Sequence, residues 1–264
     1  MAIVTCRRAL VLTVLIAAAA AACGGAPLLR QYEYEEEIFL GVDGSGTVVV
    51  NSSIPALVAL RGLDLDPGPR GRLDRRRIEA AYTSPATRVL RVSRPWRRNG
   101  RRFVQIRLET DDVRRLGEAA PLAWSAYRFD RAGDAITFRQ TLGRASSAPA
   151  AARISAGVKH AGWTGDEIIA VRLHVPSRIL YHTMRRLENG QPGQVARGNI
   201  LTWEQRLADR LGGAPLEIEA RFEPQSILAA TLWVFGVATA AALAVLGGLT
   251  WWTVRRGETH KTEN

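Results

Sequence analysis

Cysteine and lysine are almost missing from this chain of 264 residues. The two cysteines, Cys6 and Cys23, stand near the N-terminus, so no thiol lies beyond residue 23. A disulfide framework, a cysteine metal site and a cysteine nucleophile are therefore excluded there, and an apolar core has to hold the fold. Lys159 and Lys261 are the only lysines, so the rest of the 36 basic residues are arginine. Because alanine is also abundant, this bias indicates a GC-rich genome, and the net charge of +11 carries little functional weight.

The motifs that identify common enzyme classes are missing as well. The sequence has no phosphate-binding loop, no H-E-x-x-H pair, no G-x-S-x-G nucleophile elbow and no dinucleotide fingerprint. Gly44-Ser45-Gly46 lies in a predicted hairpin turn, not in the strand-to-helix turn that a nucleophile elbow requires. We therefore expect a protein that is not an enzyme, with no catalytic residue, no metal ligand and no cofactor.

The N-terminus predicts export. Arg7 and Arg8 precede an uncharged stretch, 9–22, that ends in small residues, as in a signal peptide covering residues 1–22. Cys23 follows as in a bacterial lipobox and is the candidate acylation site, although Ala20 stands where leucine is usual. Two alternatives stay open, namely cleavage at the alanine run without lipidation, and an uncleaved anchor.

The C-terminus predicts a membrane helix. Residues 227–254 contain no charged side chain, and Arg255 and Arg256 follow at once. A run of this length crosses a hydrocarbon core of ~30 Å. Basic residues on its C-terminal side put the tail 255–264 in the cytoplasm. We expect a single-pass protein of the plasma (inner) membrane, with a transmembrane helix at 226–254 and residues 24–225 outside the cytoplasm.

The region 24–225 has the pattern of an α+β domain, antiparallel and hairpin-rich with a few short helices. Asp43–Gly46 and the dipeptide Asn99-Gly100 predict tight turns of hairpins. Leu90 and Val92 alternate with polar residues, which predicts that both face the core. Ser53, Asp74 and Thr110 are the predicted N-caps of three helices. Later strands are predicted at 126–129, 136–142, 167–175, 178–183, 199–205 and 216–222, with a linker at 143–152.

Two groups of titratable residues are candidate sites. The run Glu35-Glu36-Glu37 predicts a solvated edge strand, protected by its charge, because successive strand residues point to opposite faces and cannot converge on calcium. His174 and His182 would form a paired site if Glu204 came close to both, which would favour an enzyme. We expect a satisfied or solvated pair of histidines instead.

One hairpin concentrates basic residues. Its members, with a tryptophan among them, are predicted to contact the membrane surface or an anionic ligand. The alternative is a solvated, arginine-biased loop, and the membrane topology argues against nucleic acid. The residues are Arg94, Trp96, Arg97, Arg98, Arg101 and Arg102.

Two segments resemble a known family. Val171–Ile179 reads VRLHVPSRI, and Gly198–Glu204 reads GNILTWE, followed by a strand and the C-terminal apolar run. With the Asp43–Thr47 turn after a lipobox-like cysteine, this is similar to bacterial envelope (lipo)proteins of the LppM type. The resemblance implies an α+β exported domain that binds a lipid, without catalytic residues to carry over. The weak lipobox and the arginine-rich hairpin depart from the pattern.

The function expected from these observations is that of a membrane-anchored extracytoplasmic protein. Its partners would be the membrane, through the C-terminal helix and an N-terminal lipid, and a lipid or other amphiphile bound at the membrane surface. The alternative is a structural or assembly partner in an envelope protein complex.

Overall fold

The computed structural model describes residues 31–143 and 161–259. The predicted signal peptide 1–22, the candidate acylation site Cys23, nearly all of the predicted linker and the end of the tail lie outside these residues. The signal peptide and the lipidation therefore stay predictions.

Eleven strands and four α-helices cover the described ranges. The strands are β1 (Tyr32–Leu40), β2 (Gly46–Ser53), β3 (Arg88–Val92), β4 (Trp96–Arg98), β5 (Arg101–Thr110), β6 (Ser125–Ala132), β7 (Ala135–Leu142), β8 (Ile168–His174), β9 (Ile179–His182), β10 (Ile200–Arg206) and β11 (Leu216–Phe222). The helices are α1 (Ile54–Arg61), α2 (Arg75–Tyr82), α3 (Leu207–Leu211) and α4 (Ile227–Thr259), with 3-10 turns at Val113–Glu118 and Ala120–Leu122.

The strands form two sheets. The first has seven strands in the order β10-β8-β1-β2-β5-β3, with β4 also paired to β5. The second has four strands in the order β6-β7-β11-β9. All pairs named for the described strands are antiparallel except β1 with β8, which run parallel. The predicted α+β class is confirmed, and the parallel pair is an addition to it.

The predicted hairpin turns are present. Asp43 accepts hydrogen bonds from the backbone N of Ser45 at 3.0 Å and from its hydroxyl at 2.7 Å, which fixes the turn between β1 and β2. Asn99 and Gly100 both have positive φ, 50° and 73°, as a type I′ turn requires. β4 and β5 pair on either side of this turn.

Two of the three predicted helix caps are confirmed. The hydroxyl of Ser53 accepts from the backbone N of Ala56 at 3.2 Å, and Asp74 accepts from two backbone N–H groups of α2. The prediction for Thr110 is wrong, because Thr110 is the last residue of β5. Asp112 caps the 3-10 turn instead, since its carboxylate reaches the backbone N of Arg114 at 3.0 Å.

The core is lined by alternate residues of the strands, with α1 packed against the first sheet. Val104, Ile106 and Leu108 of β5 are buried as predicted. The expected alternation in β3 is wrong, since Leu90 is 44% exposed. The pairing of β3 with β5 shifts register between Val89 and Arg91, so Val89, instead of Leu90, packs against the core with Val92.

The acidic run does not form an edge. β1 pairs with β2 on one side and β8 on the other, so the prediction of a solvated edge strand is wrong. Glu36 shares the buried face of β1 with Tyr34 and Ile38, and its side chain is completely buried. Glu35 and Glu37 point to the opposite face, where Arg172 pairs with both.

The C-terminal helix α4 contains one stretch, Thr231–Trp252, that is long and apolar enough to cross a membrane. Its mean hydropathy is 2.0 and none of it is buried. Only residues 223–226 connect β11 to α4. Four residues span at most ~14 Å, so the end of β11 lies close to the start of the apolar helix.

Candidate functional site

Three arginines of the predicted basic cluster are tied to the domain itself. Arg102 is buried, and its guanidinium donates to the carbonyl oxygens of Asp66, Gly68 and Gly71. These bonds hold the loop that precedes α2. Arg101 pairs with Glu33 at 2.8 Å, and Arg98 donates to the carbonyl oxygen of Tyr32.

The other members of the cluster lie on the surface. Arg94 is exposed, and Arg97 is exposed while it donates to the carbonyl oxygen of Pro69 at 3.1 Å. Trp96 is 39% exposed and stacks on Phe103 with 6.0 Å between ring centroids. The predicted contact with a membrane or an anionic ligand stays a prediction, and these three residues are the ones placed to make it.

The two histidines and Glu204 do not converge. His174 ends β8 in the first sheet, whereas His182 ends β9 in the second. Glu204 lies opposite Ala170, four residues along β8 from His174, which is ~13 Å. Glu204 accepts a hydrogen bond from the hydroxyl of Tyr32 at 2.6 Å. The arrangement therefore offers no paired-histidine site.

His174 belongs to a different group, which sequence reasoning missed. Its ring stacks on Phe39 with 4.1 Å between centroids, and its Nε2 lies 3.6 Å from a carboxylate oxygen of Glu37. Phe39 is 41% exposed although it is a large apolar residue. The sequence does contain a signal for this group, because alternation along β1 places Phe39 on the same face as Glu35 and Glu37.

These rings border an open cleft of about 680 Å³ at one end of the first sheet. Four parts of the chain meet there, namely the β1–β2 turn, the end of β5, the end of β8 and Gly198. The turn Asp43–Thr47 and the residues around Pro176 thus lie next to each other. Both belong to the segments on which the resemblance described above is based. The lining is Phe39, Leu40, Gly41, Ser45, Gly46, Thr47, Glu109, Thr110, Asp111, His174, Val175, Pro176 and Gly198.

The cleft lies at the end of the domain from which α4 departs. Pro176 lines it, and two residues later the carbonyl oxygen of Arg178 accepts from the backbone N of Glu223 at 3.0 Å. Glu223 begins the four residues that lead into α4. The arginine-rich turn lies at the other end of β5, whose ten residues span ~33 Å. The cleft, and not the arginine-rich turn, is therefore close to the start of the apolar helix.

A second polar group is enclosed in the core. Glu36 receives a hydrogen bond from Arg61 Nη2 at 2.5 Å, from the hydroxyl of Tyr34 at 2.8 Å and from that of Tyr127 at 3.2 Å. Gln140 donates to it at 2.9 Å. The carboxylate and the guanidinium of Arg61 are both completely buried. Burial raises the pKa of Tyr34 and Tyr127 well above the ordinary value, so both hydroxyls stay protonated donors.

Comparison with known proteins identifies no family. No protein-family model and no curated protein sequence matches this chain. Among solved structures, the folded domain of LppM from Mycobacterium tuberculosis is similar, with 12% identity over 76% of this chain and 95% of that one. The TM-score is 0.38. The expected resemblance thus extends to a loose likeness of fold, which supports no conclusion about ligand or activity.

Proposed function

We propose that this chain is a membrane-tethered, non-enzymatic protein whose extracytoplasmic domain binds a lipid or another amphiphile in the cleft beside His174. The observation that carries the proposal is the position of the cleft, next to the residues that lead into α4. A predicted signal peptide before the domain and Arg255 and Arg256 after the apolar stretch support a single-pass protein of the plasma (inner) membrane, with the domain outside.

The lining of the cleft favours one kind of amphiphile. The stacked rings of Phe39 and His174, with Pro176 beside them, offer apolar and aromatic surface to a chain or a ring. Asp111 contributes a carboxylate, the carboxylate of Glu109 pairs with Arg88 just outside the lining, and arginine is absent from the lining itself. A polar headgroup that is neutral or cationic fits this chemistry better than the anionic ligand predicted for the arginine-rich hairpin.

Native mass spectrometry of the full chain in a neutral detergent, after incubation with a bacterial lipid extract, tests the proposal. We expect a saturable lipid adduct that is lost in Phe39→Ser and kept in Leu90→Ser, a matched change at an exposed residue on another strand. The double variant Arg94→Ser, Arg97→Ser tests the arginine-rich hairpin without touching the buried arginines. A folded protein that forms no adduct would refute binding in the cleft. An adduct that persists in Phe39→Ser would refute it as well.

A second candidate function, assembly with an envelope protein, is favoured by β9. This edge strand pairs with β11 on one side, and it exposes Leu180 and Tyr181, which are 46% and 49% accessible. An exposed edge with apolar side chains is suited to adding a strand from a partner. Loss of a cross-linked envelope complex in Tyr181→Arg, with the lipid adduct unchanged, would support assembly. An intact complex would count against it.

A further inference from the structure

Two buried arginines contact the same indole ring inside the domain. The guanidinium carbon of Arg61 lies 3.6 Å from the ring centroid of Trp124, and that of Arg210 lies 4.6 Å from it. The side chain of Arg61 and the whole of Arg210 are completely buried. Trp124 is partly exposed, so it is the member of this group that reaches the surface.

The buried charges around Trp124 do not balance, because two arginines, Arg61 and Arg210, face one carboxylate, that of Glu36. Glu36 pairs with Arg61, but no ion pair joins Arg210 to a carboxylate among the side chains of residues 31–143, 161–226 and 231–252. Arg210 Nη1 donates to the carbonyl oxygens of Leu142 and Ala214 at 3.2 and 3.0 Å. Burial and the repulsion of Arg61 lower the pKa of Arg210 to about 10, so it stays charged at neutral pH. An uncompensated buried cation is unfavourable.

The rest of the chain offers little to balance that charge. Residues 1–30 and 144–160 contain neither aspartate nor glutamate. The other side chains that the structure does not describe, those of 227–230 and 253–264, include two acids, Glu258 and Glu263, and both follow the apolar stretch Thr231–Trp252. No carboxylate among the described side chains therefore neutralises Arg210, and an anion bound from solution would supply the missing charge.

The unused hydrogen-bonding groups are mostly donors. The buried atoms of this region without a partner in the described structure are Arg61 Nε and Nη1, Arg210 Nε and Nη2, Trp124 Nε1 and the hydroxyl oxygen of Tyr82. Gln140 Oε1 and Gln205 Oε1 are unused acceptors, the second on an amide that shares the carbonyl oxygen of Ala214 with Arg210, but both are neutral and cannot balance a charge. Several N–H donors on two guanidiniums match an anion that carries several acceptor oxygens.

We infer that Arg61, Arg210 and Trp124 form a binding site for a phosphate-type oxyanion, entered past the indole ring of Trp124. The site is separate from the cleft beside His174, and the inference does not rest on the proposed function. Inorganic phosphate and the phosphate of an anionic lipid headgroup share the chemistry that this site recognises. The two sources are separated by experiment.

The test uses the full chain in a neutral detergent with two probes, inorganic phosphate and phosphatidylglycerol. Native mass spectrometry should show a saturable adduct with one probe, and the probe that binds identifies the source. Arg210→Met should weaken binding by a factor on the order of ten or more, since it removes charge-assisted hydrogen bonds. Arg206→Met is the matched control, because Arg206 pairs with Asp166 at the surface, and it should bind as the wild type does.

A second measurement needs no variant. Phosphate at low millimolar concentration, too dilute for its general salting-out effect on folded proteins, should raise the unfolding temperature of the wild-type protein above that in chloride at equal ionic strength, because a ligand of the folded state stabilises it. Absence of an adduct with both probes, together with equal unfolding temperatures in phosphate and chloride, would overturn the inference. So would a folded Arg210→Met variant that binds as tightly as the wild type. Arg210 would then be a cation held by two carbonyl oxygens and a ring.

Discussion

Replacing Glu36 by glutamine should destabilise the domain more than most single changes. The substitution keeps the shape of the side chain but leaves the completely buried guanidinium of Arg61 without a counter-ion. Arg210 adds a second positive charge to the same surroundings. Removing one partner of a buried ion pair typically costs about 3–5 kcal/mol, because the other charge stays buried and unpaired. For a domain of this size that lowers the unfolding temperature by roughly 10 °C.

Thermal and urea unfolding of the full chain in detergent, followed by circular dichroism, would measure the loss. Glu35→Gln is the matched control, since Glu35 is the preceding residue of β1 and points to the opposite, partly exposed face. Its ion pair with Arg172 is partly solvated, and we expect a loss of about 1 kcal/mol or less.

A double-mutant cycle decides whether the ion pair is responsible. Glu36→Met together with Arg61→Met should be far less destabilising than either change alone, since a buried pair can be replaced by apolar residues at little cost. A loss below about 1 kcal/mol in Glu36→Gln, or additive effects of the two methionine substitutions, would refute the reasoning.

Three further predictions concern other parts of the domain. Gly100→Ala should lower the free energy of unfolding by about 1–2 kcal/mol in urea titrations, because its φ of 73° is unfavourable for a residue with a Cβ; an unchanged midpoint would contradict this. Arg102→Met should speed proteolysis within 66–71, whereas Arg94→Met, a change at an exposed arginine with no bond to this loop, should leave the cleavage rate as it is; equal rates would argue against the role given to Arg102. Burial and the hydrogen bond to Glu204 raise the pKa of Tyr32 to about 12, so its contribution to stability is complete below pH ~10 and is lost as the pH rises towards 12. Tyr32→Phe should therefore lose less stability over that interval in alkaline unfolding, and an identical loss would contradict the assignment.

The hairpins, most strand positions and the apolar helix could be predicted from the sequence because each depends on local patterns. Asn99-Gly100 and Asp43–Gly46 specify their turns through positive φ and side-chain hydrogen bonds within a few residues. The helix cap is different, since Thr110 and Asp112 are both good capping residues two positions apart and only Thr110 is predicted. Which one caps depends on where β5 stops pairing with β2.

Glu36 shows the limit of local reasoning. Alternation along β1 places Glu36 between Tyr34 and Ile38 on the face that packs into the core, and this alternation is visible in the sequence. Its partner Arg61 lies 25 residues away at the end of α1, and only the tertiary fold brings the two together. The three consecutive glutamates therefore predict a solvated strand, although Glu36 is the most buried acidic residue of β1.

The cleft could not be predicted for a related reason. It depends on the parallel pairing of β1 with β8, which places Phe39 opposite His174. These residues are far apart in the sequence, whereas the hairpin patterns predict antiparallel pairs between neighbouring strands. The five arginines of the basic cluster likewise look equivalent in the sequence, but Arg102 is buried while Arg94 is exposed.

The most direct test of the proposed function asks which end of the domain meets lipid. A photoreactive phenylalanine analogue would be placed at Phe39 in one full-length protein and at Trp96 in another, and both would be irradiated in native membranes. Mass spectrometry would then identify cross-linked lipid. Binding in the cleft predicts lipid adducts from position 39 and few or none from position 96. Adducts from position 96 alone would contradict binding in the cleft and would assign the lipid contact to the arginine-rich hairpin.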